Sequence, residues 1–229
     1  RHVTGDRMDA VVHTPDGPRG ARVVPSAYDG DLVLLAVEGL PAEGYIPDLD
    51  GETMDEGPFH AVGADIARQE VRVFAPGGLI AGPADGAALG RLHVRARMRP
   101  GVSGGALVDA DGDLVGIAVG GGDGRFEALP LDAVRTLLAL RESENAETVT
   151  RELGAALAAC EALMGEATAG GTTGAAAPDG IADICAAGRN HGQLLEAGRI
   201  LARAGDFDAA AAMHAQAVRQ VPNSVNARV

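Results

Sequence analysis

The sequence predicts a mainly β domain, barrel or sandwich, followed by an α-helical segment that ends in a hairpin. Two observations carry this. Residues 1–130 break into short apolar runs separated by Gly, Pro and Asp turn signals, the pattern of many short strands in one sheet system. From Leu131 the apolar period lengthens to helical spacing and stays helical wherever it can be read afterwards.

The strands are expected at Ala10–His13, Ala21–Val24, Leu32–Val37, Val71–Phe74, Leu92–Met98, Ala106–Val108, Leu114–Val119 and Phe126–Leu129. Pro15-Asp16-Gly17 marks a turn between the first two. Asp111-Gly112 predicts a two-residue hairpin turn, because such turns need positive φ.

Leu131, Val134, Leu137 and Leu138 recur at helical spacing, and a second helix is expected over Val149–Met164. The Gly-, Ala- and Thr-rich run Gly165–Gly180 reads as a flexible linker. Further on, Leu194, Gly198, Leu201, Gly205, Phe207, Ala210, Ala217 and Pro222 stand where a 34-residue helical-hairpin repeat places its packing positions, with Gly205-Asp206 as the turn. This stretch resembles one tetratricopeptide repeat, departing from it at Leu194, where a tryptophan is usual, and at His214, where an aromatic is usual. One such hairpin cannot bury its own apolar face, so further repeats are expected, with Ser224–Val229 as the start of the next. The domains are therefore drawn at 1–142, 143–180 and 181–229.

A formal charge of −13 on 229 residues, with no basic stripe, disfavours nucleic acid and anionic lipid. All 19 basic residues are arginine. The apolar runs Leu32–Val37 and Leu114–Val119 fall far short of the roughly 20 residues needed to cross a bilayer. Opening on Arg1-His2-Val3, the chain is expected to be cut at its start, and it is expected to be cut at its end as well. That leaves targeting and localisation unread.

The sharpest motif is Gly101-Val102-Ser103-Gly104-Gly105. In acyl transfer a carbonyl must approach a hydroxyl closely while two backbone N–H groups converge on its oxygen. Glycines on either side of the serine clear that approach and permit the tight turn that aims the Gly101 and Ser103 amides inward. With four serines in the chain, chance gives this pattern in roughly one such chain in a hundred. The competing structural reading is a glycine-rich turn.

A serine hydroxyl also needs an imidazole to take its proton and a carboxylate to orient that imidazole. Asp31 stands directly ahead of the apolar run Leu32–Val37, and His2 precedes it, giving the order His, Asp, Ser. Taken singly, Asp31 could equally be a turn or capping aspartate, and His2 a solvated histidine.

Together these segments resemble the chymotrypsin-fold serine peptidases, and within them the bacterial high-temperature-requirement branch. The resemblance rests on His2-Val3, Asp31–Leu35, Pro100–Ile117 and Glu127-Ala128-Leu129-Pro130 before the Leu131 helix, and it covers about residues 1–140. It implies a two-barrel peptidase domain whose leading strands are missing. It also implies Ser103 as nucleophile, His2 as base, Asp31 as orienting acid, and the Gly101 and Ser103 amides as oxyanion donors. Arg97 and the strand residues Ala118, Val119, Gly120 and Gly121 would border the primary specificity pocket. His93, Arg95, Arg97 and Arg99 alternate with Leu92, Val94, Ala96 and Met98, however, so a solvated strand face is the competing reading of that arginine. Val102 stands where relatives carry Asp or Asn, which removes the salt bridge that switches on animal zymogens. With no strands ahead of it, His2 is expected to be poorly held and this chain weakly active or inactive. The resemblance suggests a periplasmic or secreted location.

Other signals carry less. Asp109, Asp111 and Asp113 alternate like calcium ligands, but Gly112 and Gly120 fall at the wrong places for that loop, so a hairpin is preferred. The run Gly120–Gly124 is expected as a loop beside the substrate cleft. Cys160 and Cys185 are a bridge only if their helices dock, and packing is the default. No metal or cofactor is expected.

Two functions remain. One is an endopeptidase acting on protein or peptide substrate, with the helical segment binding a protein partner. The other is a non-catalytic binding scaffold that retains the peptidase fold.

Overall fold

The computed structural model describes residues 1, 4–40, 47–50, 57–85, 87, 89–99, 101–122, 125–169 and 176–224. His2, Pro100, part of the Gly120–Gly124 run, residues 170–175 of the expected linker and residues 225–229 of the expected next repeat lie outside them. The chain forms two compact units: residues 1–42 with 136–229, and residues 43–135. The helical segment and the first 42 residues belong to the same unit.

In the first unit, β1 (Asp9–Thr14), β2 (Gly17–Val24) and β3 (Leu34–Val37) form an antiparallel three-stranded sheet. The β1–β2 hairpin turns at Thr14–Gly17, where the Thr14 hydroxyl donates to Gly17 O at 2.8 Å. Strand β3 begins two residues later than its apolar run suggested, so Asp31, Leu32 and Val33 precede the paired strand.

The same unit contains α2 (Ala146–Ala169), α3 (Ile181–Gly188), α4 (His191–Ala204) and α5 (Phe207–Gln220). Helix α2 outruns the expected Val149–Met164 at both ends and takes in Gly165–Ala169, which the sequence had placed in the linker. Glu166, Ala167 and Ala169 are strong helix formers and outweigh Gly165 and Thr168 there.

Helices α4 and α5 form the expected hairpin. Gly205 makes the turn at φ 88°, and a side chain at Gly198 would meet the His214 ring at 2.7 Å. Their apolar face is covered from the N-terminal side by α2 and α3, with Cys160, Ile181 and Cys185 buried among Leu194, Ile200 and Met213. Burial is thus met by preceding helices, where the sequence suggested a following repeat. Cys160 and Cys185 are joined in a disulfide, a correction to packing as the default: α2 and α3 dock with Cα atoms 4.9 Å apart.

In the second unit, β4 (His60–Asp65), β5 (Glu70–Val73), β6 (Leu79–Ala81), β7 (Leu92–Val94), β8 (Ala106–Val108), β9 (Leu114–Gly122) and β10 (Arg125–Pro130) form a seven-stranded sheet in the order β5-β4-β8-β9-β10-β7-β6. Paired bonds between Phe59 and Gly77, at 2.9 and 3.0 Å, form an isolated bridge between the residue ahead of β4 and the segment ahead of β6. Its interior holds Phe59, Leu92, Val94, Val102, Leu107 and Ala118. Helix α1 (Leu131–Ala139) follows β10.

Two details depart from the sequence reading. The β8–β9 connection is a five-residue loop in place of the expected two-residue turn: Asp109 N–H donates to Asp113 O, and its carboxylate accepts from the Asp111 and Asp113 amides. An aspartate that competes for local N–H groups stabilises this wider loop. Strand β7 ends at Val94, yet the alternation continues, with Ala96 and Met98 buried and Arg95, Arg97 and Arg99 exposed. His93 breaks the solvated-face reading, being buried with its Nδ1 3.9 Å from Glu127.

Candidate active site

Ser103 sits in the tight turn that leads into β8. Gly101 adopts φ 103° and Gly104 φ 87°, conformations open to glycine. A side chain at Gly101 would lie 2.5 Å from Ile66, and one at Gly105 would lie 2.2 Å from Val62 O, so the loop packs backbone to backbone on β4. It is tied to β9 by two bonds of 2.8 Å, Gly104 N–H to Ala118 O and Ala118 N–H to Gly105 O. A third, Gly105 N–H to Val102 O at 2.8 Å, closes the turn. Val102, 1% exposed, anchors it in the core, so the apolar residue found in place of Asp or Asn is a packing residue.

Ser103 itself is exposed, and its hydroxyl donates to Val119 O at 3.0 Å. A carbonyl cannot take up the proton, so the hydroxyl in this arrangement is not activated and must turn to react. Among the described residues the Gly101 and Ser103 N–H groups are donated to no protein acceptor, as an anion-binding pair requires.

The expected specificity residues divide. Val119 offers its carbonyl to Ser103, and Gly120 and Gly121 continue β9 beside it. Ala118 is buried in the core, and both of its backbone groups are engaged by the serine loop. Arg97 is exposed, with its N–H on Ala75 O at 3.2 Å.

Asp31 belongs to the other unit. Its carboxylate is 7% exposed, with Oδ1 3.0 Å from the backbone nitrogen of Arg1, the residue before His2. Its Oδ2 accepts from the Asn190 side-chain amide at 2.9 Å. Burial pushes the Arg1 guanidinium below its ordinary pKa value, against the opposing attraction of Asp31. Next to Asp31, Gly30 lies under the Tyr28 ring so closely that a side chain there would meet the phenol oxygen at 2.4 Å. His2 lies outside the described residues.

Sequence reasoning missed Asn190. Asn190 and Gln193 do match a helix-start pattern, but nothing local links them to an aspartate 159 positions away.

The family model of the trypsin-like peptidase domain matches residues 1–117, just over half of the chain. Among solved structures, the HtrA-type protease AlgW with a decapeptide is similar at 28% identity and TM-score 0.51, over 62% of this chain and 47% of its own. The same protease with a tripeptide gives 27% identity and TM-score 0.50, over 62% and 50%. The chain thus spans about half the length of that protease. The inactive form of the Rv3671c protease gives 20% identity and TM-score 0.49, over 59% and 73%. No curated protein matches the chain significantly by sequence.

Proposed function

The chain belongs to the trypsin-like peptidase domain family, and we propose that it acts as a serine endopeptidase through an acyl-enzyme on Ser103. The observation that carries this is the serine loop: an exposed hydroxyl on a glycine turn, beside two amide N–H groups that no acceptor among the described residues uses.

In the proposed reaction the Ser103 hydroxyl leaves Val119 O and turns to His2. His2 takes its proton as Oγ attacks the peptide carbonyl, and Asp31 holds the imidazole in the reactive tautomer. The oxygen, now negative, accepts from the Gly101 and Ser103 amides. The C–N bond breaks, His2 returns the proton to the leaving amine, and water then cleaves the ester. Substrate would lie along β9 at Val119–Gly121, near Arg97.

A place in the high-temperature-requirement branch is supported by the likeness to AlgW, whose structures hold peptides. The tetratricopeptide-like reading of α4 and α5, as a site for a protein partner, is supported by the close helix crossing at Gly198. The buried disulfide supports an oxidising compartment. The scaffold alternative is not favoured, since a binding scaffold has no use for this loop geometry.

The test is covalent labelling by a fluorophosphonate probe. Labelling that is lost in Ser103→Ala supports the reading. A well-folded protein that never labels, with no peptide cleavage, would end it.

A further inference from the structure

Resting on that reading, we propose that Asn190 is a positioning residue for the Asp31 carboxylate, so that the α3–α4 turn of the helical segment is part of the apparatus that holds the acid. Asn190 is 7% exposed and uses both ends of its side chain. Its Oδ1 accepts the Gln193 N–H at 3.0 Å and caps α4. A cap must be an acceptor, so the amide nitrogen is the end that faces Asp31 Oδ2, at 2.9 Å. With Oδ1 near the Arg1 nitrogen and Oδ2 on Asn190, the carboxylate is fixed in rotation. A catalytic base oriented by a carboxylate needs that carboxylate held in one rotamer.

The turn that carries Asn190 is itself held from several sides. Arg189 adopts φ 50° and donates to Asp29, two residues before Asp31, at 2.8 Å. Gln220 of α5 donates to Arg189 O at 3.1 Å, and Gln193 donates to Leu157 O of α2 at 3.1 Å. The disulfide fixes α3 to α2 just upstream. Helix α2 also approaches the segment after His2: a side chain at Gly154 would meet Gly5 O at 2.5 Å. The helices therefore brace the acid and the residues adjoining the base.

The test compares Asn190→Ser, Asn190→Asp and Asn190→Ala. Serine and aspartate cap a helix as asparagine does, while serine is too short to reach Asp31 and aspartate replaces the donor with a like charge. Labelling of Ser103 should slow about tenfold in all three, and the melting temperature should fall least in the serine variant, which keeps the cap and adds no charge, because every variant removes the Asn190 donor from Asp31. In Asn190→Asp the acid limb of the labelling rate should move to higher pH, because added negative charge favours the imidazolium. The Asp31 carboxyl, followed by ¹³C NMR, should titrate at higher pH than in the parent for the same reason. An unchanged Asp31 titration, or an unchanged labelling rate and pH profile, overturns the proposal. A raised Asp31 titration in a protein that never labels would sink the peptidase reading while leaving the Asn190–Asp31 assignment standing.

Discussion

The serine loop and the acid segment solve the same problem, holding one side chain still, by opposite routes. Around Ser103 the restraints are mostly backbone bonds and close backbone contacts, with the Val102 and Ile66 side chains beside them, and all come from residues 62–119. Around Asp31 the restraints are side chains and helices up to 159 positions away. A nucleophile on a self-contained turn is robust to what happens elsewhere in the chain, whereas an acid held by distant helices depends on their folding. Under the proposed mechanism the two segments should therefore fail differently.

The largest effect is expected at the nucleophile: Ser103→Ala should lower peptide cleavage by roughly 10⁴-fold or more without changing stability, measured on a peptide substrate. Next, Gly105→Val drives a side chain into Val62 O. It should lower activity at least a hundredfold and cost about 2–4 kcal/mol in chemical denaturation, with the disulfide intact. Replacing both Cys160 and Cys185 by alanine releases a 25-residue separation and should cost about 3 kcal/mol. Hydrogen exchange should rise in α2–α5 and at Asp31 while β4–β10 keep their protection. If the serine loop loosened equally, the contrast between the two halves would collapse. Smallest is Phe207→Ser: Phe207, expected as a packing position of the repeat, is instead 70% exposed at the start of α5. It should shift stability by no more than about 0.5 kcal/mol.

The same contrast explains what the sequence could tell. The Gly101–Gly105 motif was legible because its turn is made by its own residues. Strands β1, β2, β8 and β10 were legible from apolar runs between turn signals. Strand β4, with the weak alternation His60-Ala61-Val62-Gly63-Ala64-Asp65, and the three-residue β6 offered too little pattern to find. Helix α2 runs past Met164 because the Gly-, Ala- and Thr-rich composition that reads as linker from Gly165 is absorbed, as far as Ala169, by a 24-residue helix. Pairing of Cys160 with Cys185, burial of His93 against Glu127, and the Asn190 bond to Asp31 all depend on long-range approach, which no local pattern encodes.

The central claim is that Ser103 and the amides of its glycine turn form one acyl-transfer site. A crystal structure of the protein after reaction with a small fluorophosphonate tests it most directly. The account predicts phosphorus bonded to Ser103 Oγ, with the phosphoryl oxygen about 2.7–3.1 Å from both the Gly101 and Ser103 nitrogens. An adduct on another residue, or a phosphoryl oxygen turned away from both amides, would contradict it.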